Sequence, residues 1–88
     1  MSVQQTSLEA YAQVLPQLPE RRRQVLQVFI GNPYRDFTNL EVARELGWDI
    51  NRVTPRVLEL REMGLLEFSC QRSCRITGNT AMAWRLMR

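Results

Sequence analysis

Apolar residues in the middle of the chain fall on two short helical repeats, and each repeat stops at a glycine. Leu40, Val42, Ala43 and Leu46 precede Gly47, and Val53, Val57 and Leu60 precede Gly64. Positions three and four apart share one face of a helix, so the spacing predicts two amphipathic helices. Glycine is the residue that most readily takes the left-handed conformation closing a helix. The first helix also carries a start signal. In Thr38-Asn39-Leu40-Glu41 the threonine oxygen can accept from the Glu41 amide while the Glu41 carboxylate reaches back to the Thr38 amide, which is a capping box. Only Trp48-Asp49-Ile50 remains as a turn, and helices joined this tightly cross steeply.

The flanking pattern extends the picture. Leu18-Pro19-Glu20 marks another helix start, with Val25, Leu26, Phe29 and Ile30 on its apolar face up to Gly31. Upstream, the first six residues are mostly polar and expected to be loose. Leu8, Tyr11, Ala12 and Leu15 then share one face of a short helix ending before Pro16. That segment either packs on the domain or carries a dimer contact, so the chain divides into residues 1–18 and a domain of residues 19–88. Arg35-Asp36-Phe37 is long enough for a short edge strand. After Gly64, residues 65–70 and 81–86 mix apolar and polar positions as antiparallel strands do, with residues 71–80 as the loop between them.

Composition narrows the function. At 88 residues, 44% hydrophobic and 24% charged, the chain is one domain with room for a modest core but not for a deep catalytic cleft or an effector pocket. No apolar run approaches the roughly 20 residues a bilayer span needs, and no export signal is evident, so a cytoplasmic protein is expected. There is no histidine, no glycine-rich phosphate loop and no nucleophile beside a base, so an enzyme is not expected. Cys70 and Cys74 supply too few ligands for zinc and read as small hairpin residues; no metal or cofactor is expected.

Charge adds direction. All twelve basic residues are arginine, against nine acids, for a net +3. Arginine suits phosphates and guanine edges, although gene base composition can produce the same bias. From Phe68 to the end there are four arginines and no acid. The Arg21-Arg22-Arg23 run reads first as a solvated helix face, with phosphate contact as the alternative.

With these elements in place, residues 19–87 resemble the winged helix-turn-helix family of small bacterial and phage DNA-binding regulators. The resemblance rests on the spacing of Ala43, Gly47, Val53, Val57, Leu60 and Gly64, followed by Leu65-Leu66 and a hairpin. It implies an α+β, mostly α, fold of three core helices with a C-terminal β-hairpin wing and an extra N-terminal helix. It also implies double-stranded DNA as partner, a recognition helix over about residues 51–63 in the major groove, and a wing over about residues 70–81 on phosphate or minor groove. Asn51, Arg52, Thr54 and Arg56 face away from the apolar stripe and are the candidates for base contact, while Arg72 and Arg75 are the wing candidates.

Pro55 departs from an ideal helix. If Asn51 caps the helix, the proline falls in the tolerated first turn; if the helix begins at Ile50, it lies inside and removes a backbone bond. The first arrangement is the cheaper one, with Asp49 competing for the cap. Trp48 is expected as an apolar plug and Trp84 as a core residue. The rival function is a winged helix used for protein contact, marked by an exposed apolar patch at Tyr11, Tyr34 or Met63. A small DNA footprint makes a homodimer or partner protein plausible, with no small-molecule effector.

Overall fold

Three of the four ends of the two central helices carry the signals read from the sequence. The computed structural model describes residues 5–87, with side chains from residue 9 onward. Helix α3 (Asn39–Leu46) opens with the complete capping box: Thr38 Oγ1 accepts from the Glu41 amide at 3.2 Å, and the Thr38 amide donates to Glu41 Oε1 at 3.0 Å. Gly47 closes it at φ 69°, in the left-handed region where glycine carries no Cβ penalty. The Trp48 amide then returns to the Ala43 carbonyl at 2.9 Å.

Helix α4 (Ile50–Glu62) departs from the cheaper arrangement. Asp49, not Asn51, is the cap, its carboxylate accepting from the Asn51 amide at 2.8 Å, and Pro55 lies inside the helix. Burial explains the choice. Val53, Val57 and Leu60 are at most 1% exposed, and keeping all three on one face fixes the helical phase. Pro55 then falls on the solvent side, and the bond it removes is to the carbonyl of Asn51, itself an exposed residue.

Around this pair stand α1 (Gln5–Val14), a 3-10 turn (Leu15–Gln17) and α2 (Glu20–Ile30). Strand β1 (Phe37–Thr38) is shorter and later than residues 35–37, and runs straight into α3. Strands β2 (Leu66–Ser73) and β3 (Thr80–Leu86) complete an antiparallel sheet of order β1-β3-β2. Phe37 lies opposite Trp84, and Arg72 opposite Ala81, with a register shift between Phe68 and Cys70. The hairpin ladder reaches further than expected, to Ser73↔Thr80, so the loop is residues 74–79 and not 71–80. Bonds from Cys74 N to Asn79 O and from Gly78 N to Cys74 O, both 2.8 Å, close its tip.

The core gathers one face of each element: Val25, Leu26 and Phe29 from α2, Val42 from α3, the α4 stripe, and Phe37, Leu66, Trp84 and Leu86 from the sheet. Phe29 meets Phe37 edge to face, with centroids 5.2 Å apart. Trp48 packs against this core half-buried, and Trp84 is 6% exposed. Tyr11 and Leu18 belong to the same cluster, so the N-terminal helix sits on the body of the protein. The result is a small α+β fold, mostly helical, compatible with the winged arrangement.

Candidate nucleic-acid interface

The phase that buries Val53, Val57 and Leu60 decides which side chains α4 presents outward. Asn51, Arg52, Thr54, Pro55, Leu58 and Glu62 are exposed, whereas Arg56 and Glu59 are half-buried on the flank toward α2. Arg52 has no side-chain partner among the described residues, and only the backbone amide of Asn51 is engaged, by Asp49. Thr54 Oγ1 donates back to the Ile50 carbonyl at 3.1 Å and lies 3.4 Å from Asn39 Nδ2, a long contact.

Arg56 is not free. It grips Glu59 with two bonds, Nε to Oε1 at 2.6 Å and Nη2 to Oε2 at 3.2 Å, and Glu59 also accepts from Arg22 Nε at 3.0 Å. Bonds from Arg56 and then Arg22 hold the Glu59 carboxyl below its ordinary pKa. This trio ties α4 to α2. It places Arg56 beside the outer face with part of its charge answered.

The hairpin differs most from what its own sequence suggests. Residues after Phe68 contain no acid, yet two acids from earlier in the chain reach them. Arg72 binds both oxygens of Glu41, Nη2 to Oε1 at 2.7 Å and Nη1 to Oε2 at 2.8 Å, and also Asp36 Oδ1 from Nε at 3.1 Å. Arg75 donates from Nη1 to Glu41 Oε1 at 2.9 Å, and its backbone amide donates to Oε2 at 2.7 Å. Ser69 Oγ and Cys70 Sγ donate to Asp36 at 2.8 and 3.4 Å. Opposite Cys70 and Arg72 on β3 stand Ala83 and Ala81, whose small side chains leave room for β2 to reach across the sheet. Burial pushes the Glu41 pKa up, but donors led by Arg72, then the Arg75 and Thr38 amides, hold it at about 2. Asp36 is likewise lowered, donors led by Ser69 and Arg72 outweighing burial.

Elsewhere Arg85 pairs with Glu67 at 2.7 Å across the hairpin, and the Arg61 guanidinium lies 3.9 Å from the centroid of the Trp84 ring. Arg21, Arg23, Arg44 and Arg52 have no ion pair or hydrogen bond from their side chains among the described residues. The sequence-predicted set is therefore brought together only in part. Asn51, Arg52 and Thr54 are spread over the exposed half of α4, Arg56 lies at its flank, and Arg72 and Arg75 sit in a carboxylate cluster at the loop end of the hairpin. Arg44 on α3 was passed over, having no signal beyond exposure.

Between the hairpin and the start of α4 runs an open groove of about 470 Å³, whose walls include Leu40, Ile50, Met82, Trp84 and Cys74. Burial pushes the Cys74 thiol pKa up, but donors from Thr38, Thr77 and Ile76 outweigh burial and bring it below the ordinary thiol value. No cluster of metal-ligating residues occurs, and no helix is long and apolar enough to cross a membrane, among the described residues.

Among solved structures, the chain is similar to a possible transcriptional regulator from Methanosarcina mazei Go1, with a TM-score of 0.69 and 20% identity. The match covers 93% of this chain and 67% of that one, and at this identity it speaks for the fold. No protein-family model matches the chain, and no curated protein matches it in sequence.

Proposed function

We propose that this chain is a winged helix-turn-helix protein that binds double-stranded DNA, as a transcriptional regulator or phage-type DNA-binding factor. The observation that carries the reading is the outer half of α4: a helix capped at Asp49 and anchored by Val53, Val57 and Leu60 exposes Asn51, with Thr54 on one side of it and on the other Arg52, which has no side-chain partner among the described residues. On the major-groove floor, Asn51 suits adenine, Arg52 suits guanine or phosphate, and Thr54 suits phosphate or a thymine methyl. Arg56 contributes from the flank, with part of its charge answered by Glu59. Arg75, 45% exposed at its side chain, supplies the wing's phosphate contact. The name of the structural neighbour, a possible transcriptional regulator, supports the same direction. A single domain covers little DNA, so tight specific binding calls for a second copy or a partner protein.

A protein-contact module is the second reading, and one observation favours it. Met82 and Ile50, 55% and 39% exposed, line the groove between the hairpin and α4 together with Leu40 and Trp84, a grouping of apolar side chains beside the proposed interface. Titration of random duplex DNA at about 50 and 200 mM salt separates the two. DNA binding gives affinity that falls steeply with salt, and Arg52→Ala flattens the slope of log K against log salt by roughly 0.9. Indifference to DNA at the lower salt rejects the DNA reading in favour of the module.

A further inference from the structure

We infer that Arg72 is a positioning residue, clamping the wing to the start of α3 through Glu41 and Asp36 so as to set where the wing stands beside α4, and does not itself take DNA phosphate. The structural half of this stands on geometry alone; its consequence for DNA rests on the function proposed above. A guanidinium has five N–H donors. In Arg72 all have acceptors: Nε on Asp36 Oδ1 at 3.1 Å, Nη1 on Glu41 Oε2 and the Ser73 carbonyl, both at 2.8 Å, and Nη2 on Glu41 Oε1 at 2.7 Å and the Asp36 carbonyl at 3.2 Å. A phosphate arriving here finds no unsatisfied donor and meets two carboxylates.

Glu41 is the other half of the clamp. Its two oxygens accept from the Thr38 amide at the start of α3, from Arg72 on β2, and from both the amide and the guanidinium of Arg75 in the wing loop. One carboxylate therefore joins the cap of α3 to the end of β2 and to the loop that follows it. Arg75 differs in degree: Nη1 donates to Glu41 Oε1 and the Asp36 carbonyl and Nη2 lies 3.5 Å from Asp36 Oδ1, but Nε has no acceptor among the described residues and the side chain is 45% exposed. The two arginines thus share the carboxylates, but Arg72 has every donor used whereas Arg75 keeps a donor and nearly half its side-chain surface toward solvent.

The test uses opposite signs. Glu41→Gln keeps the cap, since glutamine at this position also closes a capping box, but removes a negative charge beside the wing. If Arg72 were a phosphate contact restrained by Glu41, this variant would bind duplex DNA more tightly than the parent. Positioning predicts the reverse: at a temperature well below unfolding, E41Q and R72K each weaken binding about tenfold, R72K because lysine keeps the charge but loses the planar fork. Amide hydrogen exchange supplies the readout that needs no DNA, with protection of the Arg75 amide falling about tenfold in both variants as the wing base opens. Tighter binding by E41Q, or full DNA affinity in R72K, overturns the positioning role. Unchanged Arg75 protection in both overturns the clamp itself. If the parent protein binds no duplex, the proposed function fails while the exchange measurement still decides the clamp.

Discussion

The hydroxyl of Tyr11 lies 2.6 Å from the carbonyl oxygen of Met87, 76 residues later in the chain, and 3.3 Å from that of Leu65. One phenol therefore fastens the N-terminal helix to the end of β3 and to the residue entering β2. Burial and the Glu67 charge raise its pKa, so it remains a donor well into the alkaline range. Tyr11→Phe keeps the ring and removes the donor, and its expected cost is about 1 kcal/mol. For a chain of this size that lowers the melting temperature by roughly 4–8 °C. Tyr11→Ala also empties core volume and costs roughly 3–5 kcal/mol, by analogy with other aromatic truncations. Thermal melts followed by circular dichroism check both, and equal losses would show that the ring contributes little.

Acid should unfold the protein through Glu41. Its pKa is about 2 in the fold against an ordinary 4.5, so its contribution is fully present above pH 4.5 and is lost as pH falls toward 2. A shift of this size is worth roughly 3 kcal/mol. Asp36 shifts in the same direction and adds to the loss. Denaturant unfolding at pH 7, 4, 3 and 2 should show stability declining across that acid window, with the decline much reduced in Glu41→Gln. A parent profile flat from pH 4.5 to pH 2 would remove the ion-pair account.

Gly47 tests the turn between α3 and α4. Its φ is 69°, and a Cβ added there meets nothing within 4 Å, so substitution costs backbone strain without a clash. Gly47→Ala should destabilise by about 1 kcal/mol, and Gly47→Asn by less, because asparagine tolerates the left-handed region better. A loss well above this in both would point to a collision that the geometry does not contain. Urea midpoints at constant slope provide the comparison.

These outcomes depend unequally on what was legible beforehand. The capping box of Thr38 and Glu41, the stop at Gly47 and the stripe Val53, Val57, Leu60 are local signals, and each was readable because helix ends and faces are set within four residues. The start of α4 was misjudged because the cost of Pro55 was weighed at the backbone alone, while the buried stripe fixed the phase and left the proline harmlessly outward. The wing arginines were harder. Arg72 meets Glu41 and Asp36 across separations of 31 and 36 residues, and only the three-stranded order, with β1 feeding α3 beside the wing, brings them together. Reading the acid-free hairpin in isolation hid its counter-charges. A partial clue was present, since the second oxygen of a capping glutamate is free to take an arginine.

Glu59 offers the converse of Glu41. It lies on the flank of α4, holds Arg56 through two bonds and Arg22 through one, and is 29% exposed at its side chain. Partly exposed pairs of this kind contribute about 0–1 kcal/mol, so Glu59→Gln should leave the fold nearly as stable as before. It nevertheless removes the anion nearest Arg56 on the proposed recognition helix and releases that guanidinium, with Arg52 close by on the same turn. Duplex affinity at about 50 mM salt should therefore rise several-fold, and the salt dependence should steepen by up to roughly one further phosphate contact. Removing the same unit of charge at Glu41 is expected to weaken binding, because there the carboxylate holds the wing in place, whereas here it only competes with DNA for an arginine. If Glu59→Gln and Glu41→Gln changed affinity in the same direction, the two carboxylates could not have these separate roles, and general electrostatics would be the better account of both.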